Sequence, residues 1–379
     1  MSKILTILLT LVLLTAPYII TPLPVKAVSK TIVVPDDYPT ISAAIGNATD
    51  GDTILVKTGT YEEKTLEINK EISIIGQDAN NSIINLHPTY NVSWILSQFY
   101  LSYENAITIH ANNVTLSNLT INTNGGSIVV NANGTKIAGN MLVAYTETKA
   151  ELVVNGCYNN ITGNTIVSSE SFGLNGSFNV IAKNIVESLY MEMSDSNIIT
   201  NNTIYRGISL ASSNLNVISR NKIGSIGLGR SSNNVFFENY LGFSTSIWLT
   251  IAVNNTFYHN NFVDTGSILI NLSPNYNFWD DGVEGNYWSD YNGTDSNRDG
   301  IGDTPYVIDA DNIDNYPLME PYDVENGKVV LPPPEPFPTI YVATAIALVA
   351  IITISILLYF KKHKHLPSNR SAEKPLSQT

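Results

Sequence analysis

Residues 295–303 have the side chains and spacing of a calcium-binding loop. Such loops place oxygen ligands at positions 1, 3, 5, 7 and 9 and a glycine at position 6, where the chain turns sharply. The ligands here would be Asp295, Asn297, Asp299, the Ile301 carbonyl and Asp303. Position 6 is Gly300, but position 12 is Tyr306 instead of the usual glutamate, so further carboxylates would have to complete the shell. The sequence predicts a structural calcium ion; the alternative is an Asx-rich turn without an ion.

Four charged residues are the candidates for catalysis. They are Glu187, Glu192, Asp195 and Arg206. A polysaccharide lyase needs a basic residue that removes a proton beside a uronate carboxylate, a role open to Arg206. A glycoside hydrolase needs two carboxylates on either side of the bond, for which Glu170, Glu192 and Asp195 are available. Isolated outward charges on a repeat protein are usually solvated, so the sequence favours a non-catalytic role.

These candidates lie in or beside a repeat whose most regular member is asparagine. Seven copies align on Asn140, Asn164, Asn184, Asn202, Asn221, Asn239 and Asn260. The intervals of 24, 20, 18, 19, 18 and 21 residues average 20. An apolar residue stands three positions before each asparagine and another two positions after it, and six copies have a second asparagine five positions before. A period of this length is typical of a solenoid, in which each unit buries its apolar face against the next.

The units are rich in Ile, Val, Thr, Ser, Asn and Gly, which favour strands and turns over helices. Two or three strands in about 20 residues match one coil of a parallel β-helix, with coils stacked about 4.8 Å apart. The repeated asparagines are expected to take the left-handed conformation at corners and to hydrogen-bond between coils as a ladder. Residues 40–48 place Ile41, Ala44, Ile45 and Ala48 on one face, which predicts a helix that covers the N-terminal end.

The two ends of the chain predict a membrane-anchored surface protein. Residues 1–27 combine Lys3, an apolar run and small residues before a cleavage point, as in a signal peptide. Residues 339–360 lack charge and would span about 33 Å as a helix, enough to cross a bilayer. The basic tail at 361–379 would then be cytoplasmic and residues 28–320 an ectodomain outside the cell. The proline-rich residues 321–338 are predicted to be a spacer.

The predicted ectodomain and spacer are strongly acidic. Residues 28–338 contain 13 Lys and Arg against 32 Asp and Glu, a net charge of −19. Such a surface repels nucleic acid, which is therefore excluded as a partner. The single cysteine, Cys157, excludes an intrachain disulfide. The solenoid is expected to be held by its ladders and its core.

Aromatic residues concentrate in two places. Residues 88–106 interrupt the repeat with five of them: Tyr90, Trp94, Phe99, Tyr100 and Tyr103. Residues 280–320 are predicted to form an acidic C-terminal cap, with Trp279, Tyr287, Trp288 and Tyr291 interleaved among carboxylates. Both groups are expected to pack against the solenoid, and stacking on sugar rings is the alternative.

Twelve N-x-S/T sequons occur between the predicted signal peptide and the predicted membrane span. Their asparagines are Asn47, Asn80, Asn91, Asn113, Asn118, Asn133, Asn160, Asn175, Asn201, Asn254, Asn271 and Asn292. In a surface protein this number suggests N-glycosylation. The alternative is that the triplets arise from the repeat itself and that their asparagines, such as Asn118, are buried in the ladder.

Segments near both ends of residues 30–320 resemble right-handed parallel β-helix proteins of the pectate-lyase-like superfamily, and in particular its NosD-like group. The N-terminal segments are IVVP at 32–35, TISAAI at 40–45, GDTILV at 51–56, GTY at 59–61 and ISIIG at 72–76. The C-terminal ones are GNYWSDY at 285–291, DGIGDTPY at 299–306 and DNYPLM at 314–319. The resemblance implies a right-handed all-β fold but no single activity, because such folds serve lyases, hydrolases, binding modules and structural proteins.

The NosD-like group is named for a periplasmic protein that assists copper-site maturation of nitrous oxide reductase, so the resemblance also implies a copper-related alternative. His87, His110 and His259 are scattered along the sequence, and Met191 and Met193 alternate with Leu189 as core residues would. We therefore expect a cell-surface protein with a structural or carbohydrate-binding role and a structural calcium ion. A polysaccharide lyase or glycoside hydrolase is the first alternative, and copper-site maturation is the second.

Overall fold

A computed structural model describes residues 28–324, except for 96–97, 145–151, 168–171, 243–245, 265–266 and 272–273. The predicted signal peptide, membrane span and cytoplasmic tail lie outside the described residues, as do residues 325–338 of the predicted spacer and the candidate Glu170. Within the described ranges, no helix is both long enough and apolar enough to span a membrane.

The described chain winds into an all-β parallel solenoid of about ten turns, of the right-handed type. Sheet 1 contains eleven strands that pair in parallel, each with its counterparts in the neighbouring coils. They are Thr31–Val34, Thr53–Val56, Ser73–Gly76, Thr115–Ser117, Lys136–Ala138, Asn160–Thr162, Val180–Ala182, Ile198–Thr200, Val217–Ser219, Val235–Phe237 and Thr256–Tyr258. The register places Ile137 beside Ile161 and Ile161 beside Ile181, so one inward apolar residue per coil builds the core. The predicted parallel β-helix is therefore confirmed.

Sheets 2 and 3 form the other two faces of the solenoid. Strands only in sheet 2 are Gly59–Glu63, Ser82–Leu86, Thr120–Asn122, Met141–Val143, Thr165–Val167, Lys222–Ile223, Tyr240–Leu241, Asn261–Phe262 and Tyr287–Trp288. Strands only in sheet 3 are Leu66–Ile68, Ile107–Ile109, Ile128–Val130, Leu152–Val154, Phe172–Leu174, Ile226–Gly229, Ser246–Thr250 and Ser267–Asn271. Two long strands, Ile185–Glu192 and Thr203–Ala211, pair in both sheets, and their mutual register shifts between Val186 and Ser188.

The remaining elements lie outside the coil pattern. An α-helix at Ile41–Asn47 buries Ile41, Ala44 and Ile45, and Thr40 caps it by accepting a hydrogen bond from the Ala43 N–H, so the predicted N-terminal helix is confirmed. The aromatic insertion forms an antiparallel hairpin of Tyr90–Ile95 and Gln98–Tyr103. Near the C-terminal end, Tyr306–Val307 pairs antiparallel with Ile313–Asp314.

Two columns of buried asparagine run from coil to coil. All seven predicted ladder residues are at most 3% exposed. Asn184 shows the pattern: its backbone N–H and its Nδ2 both donate to Oδ1 of Asn202, at 2.8 and 3.1 Å. Its Nδ2 also donates to the Ile161 carbonyl at 2.8 Å. The asparagines five positions earlier form the second column, and from Asn179 to Asn255 they make the same bonds, as between Asn197 Nδ2 and Asn216 Oδ1 at 3.0 Å. The predicted amide ladder is confirmed, and the structure contains two of them.

The left-handed corner lies one residue before each ladder asparagine. The seven residues at these positions have φ between 55° and 66°: Gly139, Gly163, Lys183, Asn201, Arg220, Glu238 and His259. The prediction that the ladder asparagines themselves adopt this conformation is wrong. The preceding residue turns the chain, so the ladder amide points inward between coils. Side chains as different as Lys183 and Glu238 are accepted at the corner because they remain outside the core.

The core changes from aliphatic to aromatic towards the C-terminal end. Phe257 stacks on Trp279 with ring centroids 4.5 Å apart, and Phe262 stacks on Trp288 at 4.2 Å. The two tryptophans are 0% and 1% exposed. They fill the last coils, so the alternative in which these two rings stack on sugar does not fit the structure.

The first asparagine column ends on a buried carboxylate. Asp314 Oδ2 accepts hydrogen bonds from the Asn286 N–H and from Trp288 Nε1, both at 2.8 Å. Asp314 Oδ1 accepts from the Tyr316 N–H at 3.1 Å. Each column member donates towards the C-terminal end, so the last one needs an acceptor. An ionised carboxylate only accepts, and it therefore completes the column.

Asp314 is expected to give the protein a specific pH dependence. Burial raises the pKa of Asp314 from 3.8 to about 6, although hydrogen bonds from Trp288 and Asn286 act to lower it. The folded protein therefore holds this proton more tightly than the unfolded chain does. Protonation of Asp314 therefore adds to the free energy of unfolding. This contribution is fully present below pH 3.8 and is lost as the pH rises through about 6.

Between about pH 3 and about pH 7, the free energy of unfolding of the wild type should fall by about 3 kcal/mol relative to that of Asp314→Asn. Urea unfolding of both proteins at four pH values would measure the difference. The slope of stability against pH is the readout, because the substitution also changes stability at neutral pH. Equal slopes for the two proteins would contradict the prediction.

Candidate functional site

The outer face of sheet 3 carries a row of residues aligned across four coils. Tyr190 pairs with Ser209, Ser209 with Gly227, and Gly227 with Trp248. Neighbouring coils are about 4.8 Å apart, so the two aromatic residues are about 14 Å apart along the solenoid axis. Tyr190 is 39% exposed and Trp248 is 52% exposed. The row therefore forms a trough with an aromatic side chain at each end and small residues between them.

The local sequence explains why these rings face outward. Side chains alternate along a strand, and Leu189, Met191, Ile247 and Leu249 on either side of the two aromatics are at most 1% exposed. The core thus fixes the inward residues, and the residues between them must point away from it. Tyr190 and Trp248 consequently expose large apolar surfaces on a rigid sheet.

Two glycines keep the floor of the trough open. Gly227 and Gly229 lie in the strand Ile226–Gly229, and neither has a positive φ. A Cβ at Gly229 would meet its nearest neighbour at 3.9 Å, and a Cβ at Gly227 would lie 3.2 Å from the Ser209 hydroxyl oxygen. Backbone conformation therefore demands glycine at neither position, coil packing does not demand it at Gly229, and at Gly227 the Ser209 hydroxyl would have to shift by a few tenths of an ångström. Glycine inside a strand often marks a position that another molecule approaches closely.

The trough is a shallow, open depression with a volume of about 230 Å³. Besides the aligned row, its lining includes Leu210, Ala211, Leu228, Gly229 and Thr250. The lining combines aromatic faces, apolar groups and the hydroxyls of Tyr190, Ser209 and Thr250, with no charged residue among them. A surface of this kind can stack on a flat apolar ring face and donate or accept a few hydrogen bonds.

The four catalytic candidates lie in or beside the two long strands that contain Tyr190 and Ser209. Arg206 Nε donates to Glu187 Oε1 at 2.7 Å, beside the register shift between the two long strands. Glu192 is exposed and pairs in register with Ala211, which lines the trough. Asp195 lies in the following turn, where its Oδ1 accepts from the Asn214 N–H at 2.7 Å. The structure thus brings Glu187 and Arg206 together, places Glu192 beside the trough and uses Asp195 to hold a turn.

The predicted calcium loop folds as a network of Asx turns. Asp295 accepts hydrogen bonds from the Arg298 and Gly300 N–H groups, at 2.6 and 2.9 Å. Asn297 Nδ2 donates to Asp299 Oδ2 at 2.8 Å. Bonds from Ser296, and from Thr294, lower the pKa of the Asp303 carboxyl.

The ligands of this loop are the hard oxygen atoms that calcium prefers, and Gly300 has the φ of 90° that a sharp turn needs. The loop therefore fits calcium in the type of its ligands. In the described ranges, no three His, Cys, Asp or Glu side chains lie close enough together to hold a metal ion. Calcium binding stays a prediction.

The residues considered for copper lie apart, and each histidine pairs with a glutamate. The Nε2 to Oε2 distances are 2.6 Å for His87 and Glu62, 3.1 Å for His110 and Glu67, and 2.8 Å for His259 and Glu284. Met191 is buried, as predicted, but Met193 is 71% exposed, so its assignment to the core is wrong. Met193 has a φ of 47°, and this corner ends the strand alternation on which the assignment depended.

No protein-family model matches the sequence, and no curated protein matches it. Among solved structures, the Dettilon tailspike protein superposes with a TM-score of 0.42 and 14% identity, over 69% of this chain and 66% of the tailspike chain. A pectin methylesterase bound to a hexasaccharide gives 0.37 and 13% identity, over 67% of this chain and 93% of that one. The PL6-family alginate lyase AlyGC gives 0.37 and 12%, over 81% and 60%. This chain thus spans less than two thirds of the tailspike and lyase chains.

The sequence predicts the strand around Trp248, but it does not show that the Trp248 ring lines a trough. The available signal was an aromatic residue at the centre of an apolar alternation, where alternation requires it to face outward. The pairing of Trp248 with Gly227, and of Ser209 with Tyr190, depends on which residues neighbouring coils bring side by side.

Proposed function

We propose that this protein is a cell-surface carbohydrate-binding β-helix, anchored by its C-terminal segment and with the solenoid outside the cell. The observation that supports a carbohydrate ligand is the sheet 3 trough, in which Tyr190 and Trp248 stand at either end of a floor of Ser209 and Gly227. Pyranose rings present flat C–H faces that stack on aromatic side chains, with hydroxyls at their edges for hydrogen bonding. One pyranose unit lengthens an extended glycan by about as much as one coil lengthens the solenoid.

The charge of the protein favours a neutral glycan. Residues 28–338 carry a net charge of −19, and Glu192 is exposed beside the trough. A polyanionic polysaccharide would be repelled by such a surface, most strongly at low ionic strength. A glycan without carboxylates or sulfates would bind without this penalty.

Trp248→Ala is expected to weaken glycan binding by about 5- to 30-fold, because it removes about 1–2 kcal/mol of apolar contact. Tyr190→Ala should act in the same direction. Titration of the purified protein with a panel of neutral and acidic oligosaccharides would measure these losses. The matched control is Tyr158→Ala, which removes a ring that is 65% exposed but lies away from the trough. Equal affinity in wild type and Trp248→Ala, or no binding to any glycan, would reject the proposal.

A polysaccharide lyase or hydrolase is the second candidate, and the position of Glu192 beside the trough favours it. Incubation of the protein with the same glycans would release unsaturated or reducing ends if it cleaved them. Loss of that release in Glu192→Ala or Arg206→Ala would replace the binding proposal with an enzymatic one. Membership of the NosD-like group, and with it copper-site maturation, stays a prediction that copper titration of the protein would test.

Calcium removal is expected to destabilise the C-terminal end if residues 295–303 hold an ion. Thermal unfolding should then occur at a higher temperature with calcium than with a chelator, because an ion bound only by the folded state shifts the equilibrium towards it. Asp299→Ala, which removes one oxygen ligand, should abolish the difference. Superimposable unfolding curves of the wild type with calcium and with chelator would contradict a structural calcium ion.

A further inference from the structure

All sequon asparagines whose side chains are described are exposed. These ten residues are Asn47, Asn80, Asn113, Asn118, Asn133, Asn160, Asn175, Asn201, Asn254 and Asn292. The reading that Asn118 and others like it are buried ladder residues is wrong. Asn118 and Asn201 occupy outer corners, with φ values of 55° and 56°.

The geometry of the coil separates the two kinds of asparagine. Two positions after a ladder asparagine comes an inward apolar residue, for example Ile204 after Asn202 and Ile223 after Asn221. A ladder asparagine of this repeat therefore cannot have Ser or Thr at the position that a sequon requires. The ten sequon asparagines whose side chains are described accordingly fall on outward positions, where an attached glycan would not separate the stacked coils.

The sequons are also unevenly distributed around the trough. None begins between residues 202 and 253, a range that contains every trough-lining residue except Tyr190. In the register row two positions after the aromatic one, Glu192 pairs with Ala211, Ala211 with Gly229, Gly229 with Thr250, and the backbone of Thr250 with that of Asn271. On the other side of Glu192, Asn175 follows the strand Phe172–Leu174, which pairs with Leu189–Met191. Sequons thus stand at both ends of this row and nowhere between them.

We infer that the exposed sequons are sites of N-glycosylation and that the coils of the trough form a window without attached glycans. In the reaction, the Asn Nδ2 attacks the anomeric carbon of a glycosyl donor carried on a lipid phosphate or pyrophosphate. A C–N bond forms, the bond between the anomeric carbon and the phosphate oxygen breaks, the lipid phosphate leaves, and a base of the cellular transferase takes the amide proton. The inference rests on the proposed location outside the cell.

Glycopeptide mass spectrometry of the full chain, isolated from its own cells, tests both parts. Glycan masses are expected on peptides that contain the exposed sequons, and none is expected on peptides covering residues 202–253. Recovery of all ten exposed sequons without glycan would overturn the inference. A glycan attached within residues 202–253 would overturn the window.

Thr162→Val gives a matched variant, because it preserves the shape and strand preference of the residue but abolishes the Asn160 sequon. This variant should lose the glycan on Asn160 and keep those on the other sequons. A glycan retained on Asn160 would contradict modification directed by sequons. The outcome is independent of ligand binding: unglycosylated protein from a bacterial host that binds no oligosaccharide would reject the proposed function and leave this inference standing.

Discussion

Replacing Asn202 by alanine should destabilise the solenoid by about 3–6 kcal/mol, because several buried polar groups lose their partners together and each such loss costs about 1–3 kcal/mol. Asn202 Oδ1 accepts from both the N–H and the Nδ2 of Asn184, at 2.8 and 3.1 Å. Its Nδ2 donates to the Ile181 carbonyl at 2.8 Å and to Asn221 Oδ1 at 2.9 Å. Alanine breaks the column and leaves two N–H groups of Asn184 buried without their acceptor.

Urea unfolding followed by far-ultraviolet circular dichroism would measure this loss. Asn175→Ala is the matched control, because Asn175 also bonds an asparagine one coil away, with Nδ2 2.9 Å from Asn155 Oδ1, but is exposed. Water replaces that bond, so the control should lose less than about 1 kcal/mol. Similar losses in the two variants would show that the buried ladder contributes no more than an ordinary surface contact.

Trp279→Ala is expected to destabilise the protein by about 3–5 kcal/mol, the usual cost of emptying an aromatic site in a core. The Trp279 ring stacks on Phe257 and its centroid lies 5.7 Å from that of Trp288. Its Nε1 also donates to Asn312 Oδ1 at 3.1 Å, where the second asparagine column ends. Removal of the ring would leave a cavity at the end of the solenoid and would remove one of the hydrogen bonds to Asn312 Oδ1, which also accepts from the Asn277 N–H at 3.2 Å.

Trp248→Ala provides the opposite case, because its ring is half exposed and lies on the outside of the sheet. That variant should unfold within about 1 kcal/mol of the wild type while losing glycan affinity. Trp279→Ala, assayed where it is still folded, should keep the wild-type affinity. A stability loss in Trp248→Ala as large as that in Trp279→Ala would place both rings in the core and remove the basis for the trough.

The repeat was sufficient to predict the coil, the strands and the first amide column. Alternation along a strand is a local rule, so inward residues such as Ile161 and Ile199 follow from the spacing of apolar residues alone. The same rule failed where the backbone leaves the strand. Alternation continued past a corner wrongly predicts Met193 in the core, and the repeat alone does not show that the left-handed residue precedes the ladder asparagine.

The trough and the charge pairs required the three-dimensional structure because they join residues from different coils. Coil lengths in the repeat vary from 18 to 24 residues, and the register between the two long strands shifts between Val186 and Ser188. Each irregularity changes which outward residues meet, while the inward residues must stay aligned to keep the core filled. Local periodicity therefore established the inside of this protein. Its outer face, where Tyr190, Ser209, Gly227 and Trp248 come into line, was decided only by the stacking of the coils.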